Sequence, residues 1–525
     1  MEDFALRPSH VEAATLARLA HRAAADLRGP GEALITGASV DSRDIRKGDL
    51  FGALPGLKVH GALYAAEAVR QGALAVLTDE EGARIAQPIG VPLVVASEPR
   101  VAIGEAAAAI YGDPSRRLTL VGVTGTNGKT TTSYLVDAAL RTIHPKTGLL
   151  GTIELRVANQ GMESPRTTVE SPVLQGLLAR MLEEGCSAAT TEVSSHAAAL
   201  HRISGTEFAV AVFTNLQWDH LDFHETMDGY FSDKARLFKP GRSKSGVVCV
   251  DDEYGVRLAS QAKIPIVTVA TRAANPAADW TVAGADVGLD GIGSSFELVG
   301  PGRTSFEAFS PLPGIVNVSN AAVAIVAAVE AGVSVEEAIA GVASAPAIPG
   351  RMERVIERGA DDPLAIVDYA HTPDALTLAL EGVRPITPGR LILVFGSDGD
   401  RDQGKRPVMG EIAARLADVI VLTDENPRSE DPDAIRAAIK EGVRKVRHTL
   451  DGVEEVSPRW DAVGRGLEIA GPEDTVIVTG KGHEPTQEIA GVFHRYNDRD
   501  AFRAAHDRIV KARGSGSTPE GGGRA

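Results

Sequence analysis

Residues 118–140 read LTLVGVTGTNGKTTTSYLVDAAL. Leu118 to Val123 is an apolar run of strand length, and TTSYLVDAAL from Thr131 onward has a helical pattern. Between them lies Thr124-Gly125-Thr126-Asn127-Gly128-Lys129-Thr130-Thr131. Strand, glycine loop and helix in that order make a phosphate loop. The glycines let backbone N–H groups close around phosphate oxygens, and the helix start adds the positive end of its dipole. Lys129 reaches the terminal phosphates, and the Thr130 hydroxyl can ligate magnesium. A glycine-rich turn of purely structural use does not usually have a strand before it and a helix after. Gly125 to Thr131 are therefore the expected nucleotide contacts.

The same alternation recurs outward from this segment. LAIVDYA, RLILVFG, ADVIVLT, DTVIVTG and SGVVCV are Val- and Leu-rich runs separated by Ala-rich stretches of helix length. That is the pattern of an α/β chain with parallel sheets wrapped by helices. At 525 residues the chain has room for about three domains of ordinary size. A first joint is expected near Tyr111-Gly112-Asp113-Pro114 and a second at Ala347-Ile348-Pro349-Gly350, where Gly and Pro break local structure. The expected domains are residues 1–113, 114–349 and 350–512. Residues 513–525, RGSGSTPEGGGRA, are Gly- and Ser-rich and read as a disordered tail.

Composition removes several function classes. The net charge of −16 argues against a general nucleic-acid surface, which needs clustered Lys and Arg. No apolar run approaches the roughly 18–20 residues of a membrane helix. The acidic start MEDFALRPSH lacks the basic end and apolar core of an export signal, so a soluble cytoplasmic protein is expected. Its working unit is expected to be a monomer. Cys186 and Cys249 are isolated in apolar surroundings and read as inert core thiols. A phosphate loop alone does not separate a ligase from a kinase, a motor or a GTPase. No Asn, including Asn215, Asn317 and Asn426, begins the Asn-Lys-x-Asp sequence that reads guanine, so a GTPase switch is disfavoured.

Further strings decide among the rest. Thr191-Glu192-Val193-Ser194-Ser195-His196, Thr214-Asn215-Leu216, Asp219-His220-Leu221-Asp222 and Asp233-Lys234-Ala235 follow the loop. Earlier come Val40-Asp41-Ser42-Arg43 and Gly48-Asp49-Leu50-Phe51. Later come Pro313-Gly314 with Asn317 and Asn320, Pro349-Gly350-Arg351-Met352-Glu353 and Asp368-Tyr369-Ala370-His371-Thr372-Pro373. Last are Gly399-Asp400-Arg401-Asp402, Asn426-Pro427-Arg428 and Gly480-Lys481-Gly482-His483-Glu484. With the loop, this series strongly resembles the Mur ligases over about residues 35 to 500. It comes closest to the branch that adds the third peptide residue of the cell-wall precursor.

That resemblance implies an N-terminal domain holding a UDP group, a central ATPase domain with a parallel-type sheet, and a C-terminal Rossmann-like domain for the incoming amino acid. It implies ATP-dependent ligation of a diamino acid, foremost meso-diaminopimelate, to UDP-N-acetylmuramoyl-L-alanyl-D-glutamate through an acyl phosphate. Val40, Ser42, Leu57, Lys58 and Val59 match uridine-side positions, and Thr167, Thr168, Ser194 and Arg202 match sugar-peptide contacts. Asn317, Arg351, Asp368 and His371 match nucleotide contacts. Arg401, Glu425, Asn426, Pro427, Arg428, Gly480 and Glu484 match the amino-acid site. Thr130, Glu192, His220 and Lys234 are the expected magnesium side, with Lys129, Glu192, His220 and Lys234 catalytic. The family carries a lysine carbamylated by carbon dioxide at the position of Lys234, which turns a cation into an anion able to ligate metal.

Departures mark where detail differs. Arg166 stands where a small polar residue is common, Val169 where Pro is common, and Leu200 where Gln is frequent. Glu425 replaces the first aspartate of an Asp-Asn-Pro-Arg motif that accompanies diaminopimelate, which keeps lysine and ornithine as alternatives. A folylpolyglutamate synthetase would not need the UDP-binding block, and a non-catalytic ATP-binding regulator would bind nucleotide without making product.

Overall fold

The structure is a computed structural model that describes residues 4–56, 58–219, 221–272, 277–288 and 293–515. It divides into two compact units. One comprises residues 1–283, 298–306 and 320–345, and the other residues 284–297, 307–319 and 346–525. Each of the three expected segments has a sheet of its own.

The N-terminal sheet contains β1 (Asp26–Arg28), β2 (Gly37–Ser39), β3 (Asp49–Gly52), β4 (Ala75–Thr78) and β5 (Leu93–Val95). Their spatial order is β1-β5-β4-β3-β2, parallel except for β1. Helix α1 (Pro99–Ile110) covers one face. Its Ala102, Ile103, Ala106 and Ala107 are buried with Leu50, Leu77 and Val94 in one cluster.

The central sheet is built around β6 (Thr119–Thr124), the strand expected before the phosphate loop, with α2 (Lys129–Leu140) after it. Next come β7 (Thr147–Leu150), α3 (Ser171–Glu183), β8 (Ala188–Glu192), α4 (Ser195–Ala199) and β9 (Phe208–Phe213). Then follow α5 (Met227–Ala235), β10 (Ser243–Cys249) and β11 (Ile266–Ala270). These six strands lie in the order β7-β8-β6-β9-β10-β11, all parallel, within an eleven-stranded sheet that continues beyond β7 through the antiparallel strands Glu154–Val157 and Gln160–Glu163. The chain leaves β6 toward one side and returns to add β9 on the other. The carboxyl ends of β8, β6 and β9 therefore meet at a topological switch point, where open α/β sheets bind ligands. β6 and β8 are buried on both faces, which explains continuous apolar or small-residue runs in place of alternation. Helices α1 and α3 pack against each other, so the N-terminal and central sheets share one unit.

In the second unit, β12 (Glu353–Ile356) runs antiparallel to β13 (Leu364–Val367). After α6 (Pro373–Val383) come β14 (Leu391–Phe395), α7 (Lys405–Leu416), β15 (Val419–Leu422) and α8 (Pro432–Val446). The unit ends with β16 (Val453–Glu455), α9 (Arg459–Glu468), β17 (Thr475–Val478) and α10 (Asp498–Ser515). The order is β12-β13-β17-β14-β15-β16, parallel from β13 on, as a Rossmann-like sheet requires. Helix α10 extends through Ser515, so the expected start of a disordered tail at Arg513 falls inside its last turn. Residues 516–525 lie outside the described set. Among the described residues, no helix is long and apolar enough to cross a membrane.

Candidate active site

The phosphate loop turns on two glycines, Gly125 at φ +152° and Gly128 at φ +84°. A Cβ at Gly125 would fall 1.9 Å from Thr214 Oγ1, and one at Gly128 2.3 Å from Asn320 Oδ1, so neither position has room for a side chain. The loop lies on the carboxyl end of β9. Asn215 Oδ1 accepts the Asn127 N–H at 2.9 Å, and Thr214 Oγ1 donates to the Asn127 carbonyl at 2.7 Å. Lys129 Nζ curls back to donate to the carbonyls of Gly125 at 3.1 Å and Thr126 at 2.9 Å.

Lys234 reaches the same loop from α5. It is 2% exposed, its Nζ donates to the Gly125 carbonyl at 2.7 Å, and it stands 4.5 Å above the Tyr230 ring. Burial, and after it the neighbouring Lys129 charge, hold the Lys234 amine well below the ordinary lysine range. Tyr230 places its hydroxyl 3.2 Å from Thr126 Oγ1. His224 fastens α5 from below, with Nδ1 2.9 Å from Asp233 and Nε2 2.9 Å from Ser195 Oγ.

Glu192, at the end of β8, is buried. Its Oε2 accepts the Thr130 hydroxyl at 3.0 Å, and its Oε1 accepts the Thr152 N–H at 2.8 Å. Its own carbonyl accepts the Thr168 hydroxyl at 2.9 Å, and Thr168 Oγ1 accepts the Ser194 N–H at 3.1 Å. The Arg202 guanidinium donates to the Thr168 carbonyl at 3.4 Å and pairs with Glu170 at 2.9 Å. Thr168 thus joins Ser194 and Arg202 to Glu192, and Thr167 lies 3.1 Å from Thr152, which bonds the same carboxylate. Among the described residues no group of three His, Cys, Asp or Glu could hold a metal, and His220 lies outside them, as does Leu57. Magnesium does not need such a group. A hydroxyl and a carboxylate suit its preference for hard oxygen ligands, with water and substrate phosphates completing the shell, so Thr130 and Glu192 fit it.

In the N-terminal sheet, Val40 and Ser42 lie in the turn after β2, where Asp41 accepts the Arg43 N–H at 3.0 Å. Lys58 and Val59 are exposed on the turn after β3, closed by a bridge between Pro55 and His60.

In the second unit, Asp368 directly follows β13. Its carboxylate accepts the N–H groups of Met352 at 2.8 Å and Ala370 at 2.9 Å, while burial raises its pKa. The Arg351 guanidinium lies 4.3 Å above the Tyr369 ring, and the His371 ring meets that ring edge-on at 4.6 Å. Asn317 donates to the Pro313 carbonyl at 2.8 Å. Tyr369 thus organises Arg351 and His371, a role that sequence reasoning did not assign.

The expected amino-acid residues come from the carboxyl ends of β14, β15 and β17. Asn426 Nδ2 donates to Asp398 at 3.0 Å and Glu484 at 3.2 Å, and Lys481 Nζ donates to Asn426 Oδ1 and Glu484, both at 2.8 Å. Pro427 is buried, and Arg401 is exposed. Glu425 lies under Gly480, where a Cβ would come 2.7 Å from the Glu425 carboxyl. Its Oε2 is buried with no hydrogen-bond partner among the described residues. Burial first, and then the Asp398 charge, push its pKa up to about 8. Arg428 has φ +55°, and its N–H donates to the Glu488 carbonyl at 3.0 Å. Its guanidinium is 3.7 Å from Asp398 and 3.9 Å from Glu488, looser than hydrogen-bonded pairing.

Thr152, Asp398, Lys481 and Tyr369 were not among the expected site residues. Each follows an apolar strand at its carboxyl end, and that position is the signal that could have found them.

Comparison with known proteins gives the family of the chain. Residues 34–112 match the Mur ligase family catalytic domain, residues 123–328 the Mur ligase middle domain, and residues 350–482 the Mur ligase glutamate ligase domain. The chain is 47% identical over 501 residues to the UDP-N-acetylmuramoyl-L-alanyl-D-glutamate–2,6-diaminopimelate ligase of Streptomyces avermitilis, covering 95% of this chain and 97% of that protein. It is 45% identical to the UDP-N-acetylmuramyl-tripeptide synthetase of Leifsonia xyli, with 95% and 97% covered. A solved UDP-N-acetylmuramoyl-L-alanyl-D-glutamate–2,6-diaminopimelate ligase superposes with a TM-score of 0.68 at 32% identity, covering 95% of this chain and all of that one. A folylpolyglutamate synthase of Mycobacterium tuberculosis, at 21% identity and a TM-score of 0.58 over 73% of this chain and 92% of its own, shares the fold.

Proposed function

We propose that this chain, which belongs to the Mur ligase family, joins diaminopimelate to UDP-N-acetylmuramoyl-L-alanyl-D-glutamate in peptidoglycan synthesis, converting ATP to ADP and phosphate. The observation that carries this reading is Glu192. Its carboxylate holds the first hydroxyl of the phosphate-loop helix, and its carbonyl holds Thr168 of the sugar-peptide site. A nucleotide in the loop and a carboxylate beside Thr167 and Thr168 would therefore be neighbours.

The chemistry divides into two displacements. The terminal glutamate carboxylate attacks the γ-phosphorus of ATP, giving an acyl phosphate and ADP, and the incoming amine then displaces phosphate. Phosphoryl transfer of this kind depends mainly on positioning and on neutralising charge at the transferring group. The loop N–H groups and Lys129 do this from the helix start. Magnesium, when held by Thr130 and Glu192, supplies further positive charge at the phosphates. Lys234 joins this set as a carbamate. Burial beside Lys129 lowers the pKa of its amine, which favours the neutral form that attacks carbon dioxide, and a carbamate nitrogen keeps one proton with which to donate to the Gly125 carbonyl. The Arg351, Asp368 and His371 group around Tyr369 serves the nucleotide. Asn426, Arg428, Gly480 and Glu484 serve the diamino acid, with Arg428 facing its distal carboxylate and Glu484 an ammonium group. The turns after β2 and β3 hold the uridine end. In this reading the enzyme works as a cytoplasmic monomer.

The test is phosphate release and product mass with UDP-muramoyl dipeptide, ATP and a panel of diaminopimelate, lysine and ornithine. Product with diaminopimelate in clear preference is the expected result. Folate-dependent turnover, or nucleotide binding without product, would overturn the reading.

A further inference from the structure

The hydroxyl of Thr152 stands between the metal side and the substrate side of the central site. Its Oγ1 is 3.0 Å from Glu192 Oε2 and 3.1 Å from Thr167 Oγ1. Thr130 donates to the same Glu192 Oε2 at 3.0 Å, while the Thr152 N–H occupies Oε1 at 2.8 Å. The residue before it is Gly151, where a Cβ would stand 2.3 Å from Glu192 Oε1. The end of β7 is thus pressed onto the carboxylate with no side chain between.

A hydroxyl carries a single proton and two lone pairs, so Thr152 cannot donate to Glu192 and Thr167 at once. When Glu192 takes its proton, Thr152 Oγ1 can accept the proton of Thr167. When Thr152 turns to Thr167 instead, the Thr167 proton is released to another acceptor. The choice depends on how good an acceptor Glu192 Oε2 is. A divalent cation on that oxygen draws off electron density and competes with the hydroxyl donors.

We propose that Thr152 couples cation occupancy at Glu192 to substrate affinity at Thr167: the bound cation turns the Thr152 proton toward Thr167, and Thr167 then donates to the UDP-linked substrate. Thr152 is on this account a positioning residue. The inference rests on the proposed assignment of Glu192 to the metal side and of Thr167 to the substrate side. Such coupling is reciprocal by thermodynamic necessity, so substrate must tighten cation binding by the same factor.

The experiment uses the full chain. Affinity for UDP-muramoyl dipeptide is measured by calorimetry in EDTA and at saturating Mg2+, and Mn2+ binding is followed by electron paramagnetic resonance with and without the dipeptide. In the unaltered protein the cation should tighten dipeptide binding about fivefold or more, and the dipeptide should tighten Mn2+ binding equally. Thr152→Val keeps the shape and the N–H on Oε1 but loses the hydroxyl, and should bring the factor to within about twofold. Thr152→Ser should restore it. An unchanged factor in the Val variant overturns the proposal, as does a folded Ser variant without coupling, which keeps the test decisive if the Val variant fails to fold. Dipeptide binding with no cation dependence in the unaltered protein, or no Mn2+ binding, also overturns it while leaving the ligase reading intact. No dipeptide binding under either condition removes both.

Discussion

Lys234 Nζ lies 2.7 Å from the carbonyl oxygen of Gly125, the first glycine of the phosphate loop. A buried ammonium here, beside Lys129, is unfavourable, which is the condition under which a lysine yields a reactive amine. Lys234→Ala should therefore be nearly inactive, and short carboxylic acids such as formate or acetate should partly restore turnover by occupying the vacated anionic position. The sign of the pH effect follows from the depressed pKa. Lowering the pH protonates the amine, so bicarbonate dependence should grow as pH falls. A fully active alanine variant, or active enzyme shown by intact mass and crystallography to carry a free amine, would remove Lys234 from the mechanism.

Lys129→Ala takes away the main protein charge near the terminal phosphates while leaving the core around β6 untouched. Turnover should fall by on the order of 10²- to 10³-fold, the usual effect of deleting one donor to a developing oxyanion. The measurement is phosphate release at saturating substrates, with circular dichroism to establish folding. Near-normal turnover in a folded variant would sink the assignment of the loop.

Glu425 gives a pH prediction for stability. Its folded pKa of about 8 lies above the ordinary value of 4.5, so between these values the folded state holds more protons than the unfolded one. Its contribution is fully present below about pH 4.5, declines as pH rises, and is gone above about 8. Glu425→Gln, neutral and nearly isosteric, should abolish this decline. Thermal midpoints from pH 5 to 9 decide the matter: parallel profiles for the two proteins would mean that Glu425 ionises freely in the folded state.

The strands and the loop were legible because their signals are local. LTLVGV, SGVVCV, LAIVDYA, RLILVFG, ADVIVLT and DTVIVTG each supply a strand, in β6, β10, β13, β14, β15 and β17. The bonds that join Thr168 to Glu192, Ser194 and Arg202 link residues spread over more than thirty positions of sequence, so no local pattern could show them. Thr152 escaped because a lone Thr after a strand carries no pattern, and its meaning arises only when β7 and β8 lie side by side. Sequence also gave no sign that Glu425 would be buried under Gly480. That depends on the close approach of the segments after β15 and β17, two strands that are not neighbours in the sheet.

Arg428 should read the distal carboxylate that diaminopimelate has and lysine and ornithine lack. The backbone fixes its position. Its N–H donates to the Glu488 carbonyl, and its carbonyl accepts the Ala490 N–H at 2.7 Å, holding a φ of +55° that a non-glycine residue adopts only under such constraint. The guanidinium meets Asp398 and Glu488 only at 3.7 Å and 3.9 Å, so a two-pronged bond to an incoming carboxylate would be the better pairing. Arg428→Ala leaves the backbone constraint in place and deletes that bond. A lost hydrogen bond to a charged group costs about 1.5–3 kcal/mol, so KM for diaminopimelate should rise roughly 10- to 150-fold. KM for ATP should stay within about twofold, because the Arg428 guanidinium lies against Asp398 and Glu488, whereas Arg351 and His371, proposed to serve the nucleotide, pack on Tyr369. The discriminating measurement compares catalytic efficiency for diaminopimelate, lysine and ornithine in both proteins. If the variant loses efficiency equally for all three, Arg428 supports the pocket without reading the distal carboxylate.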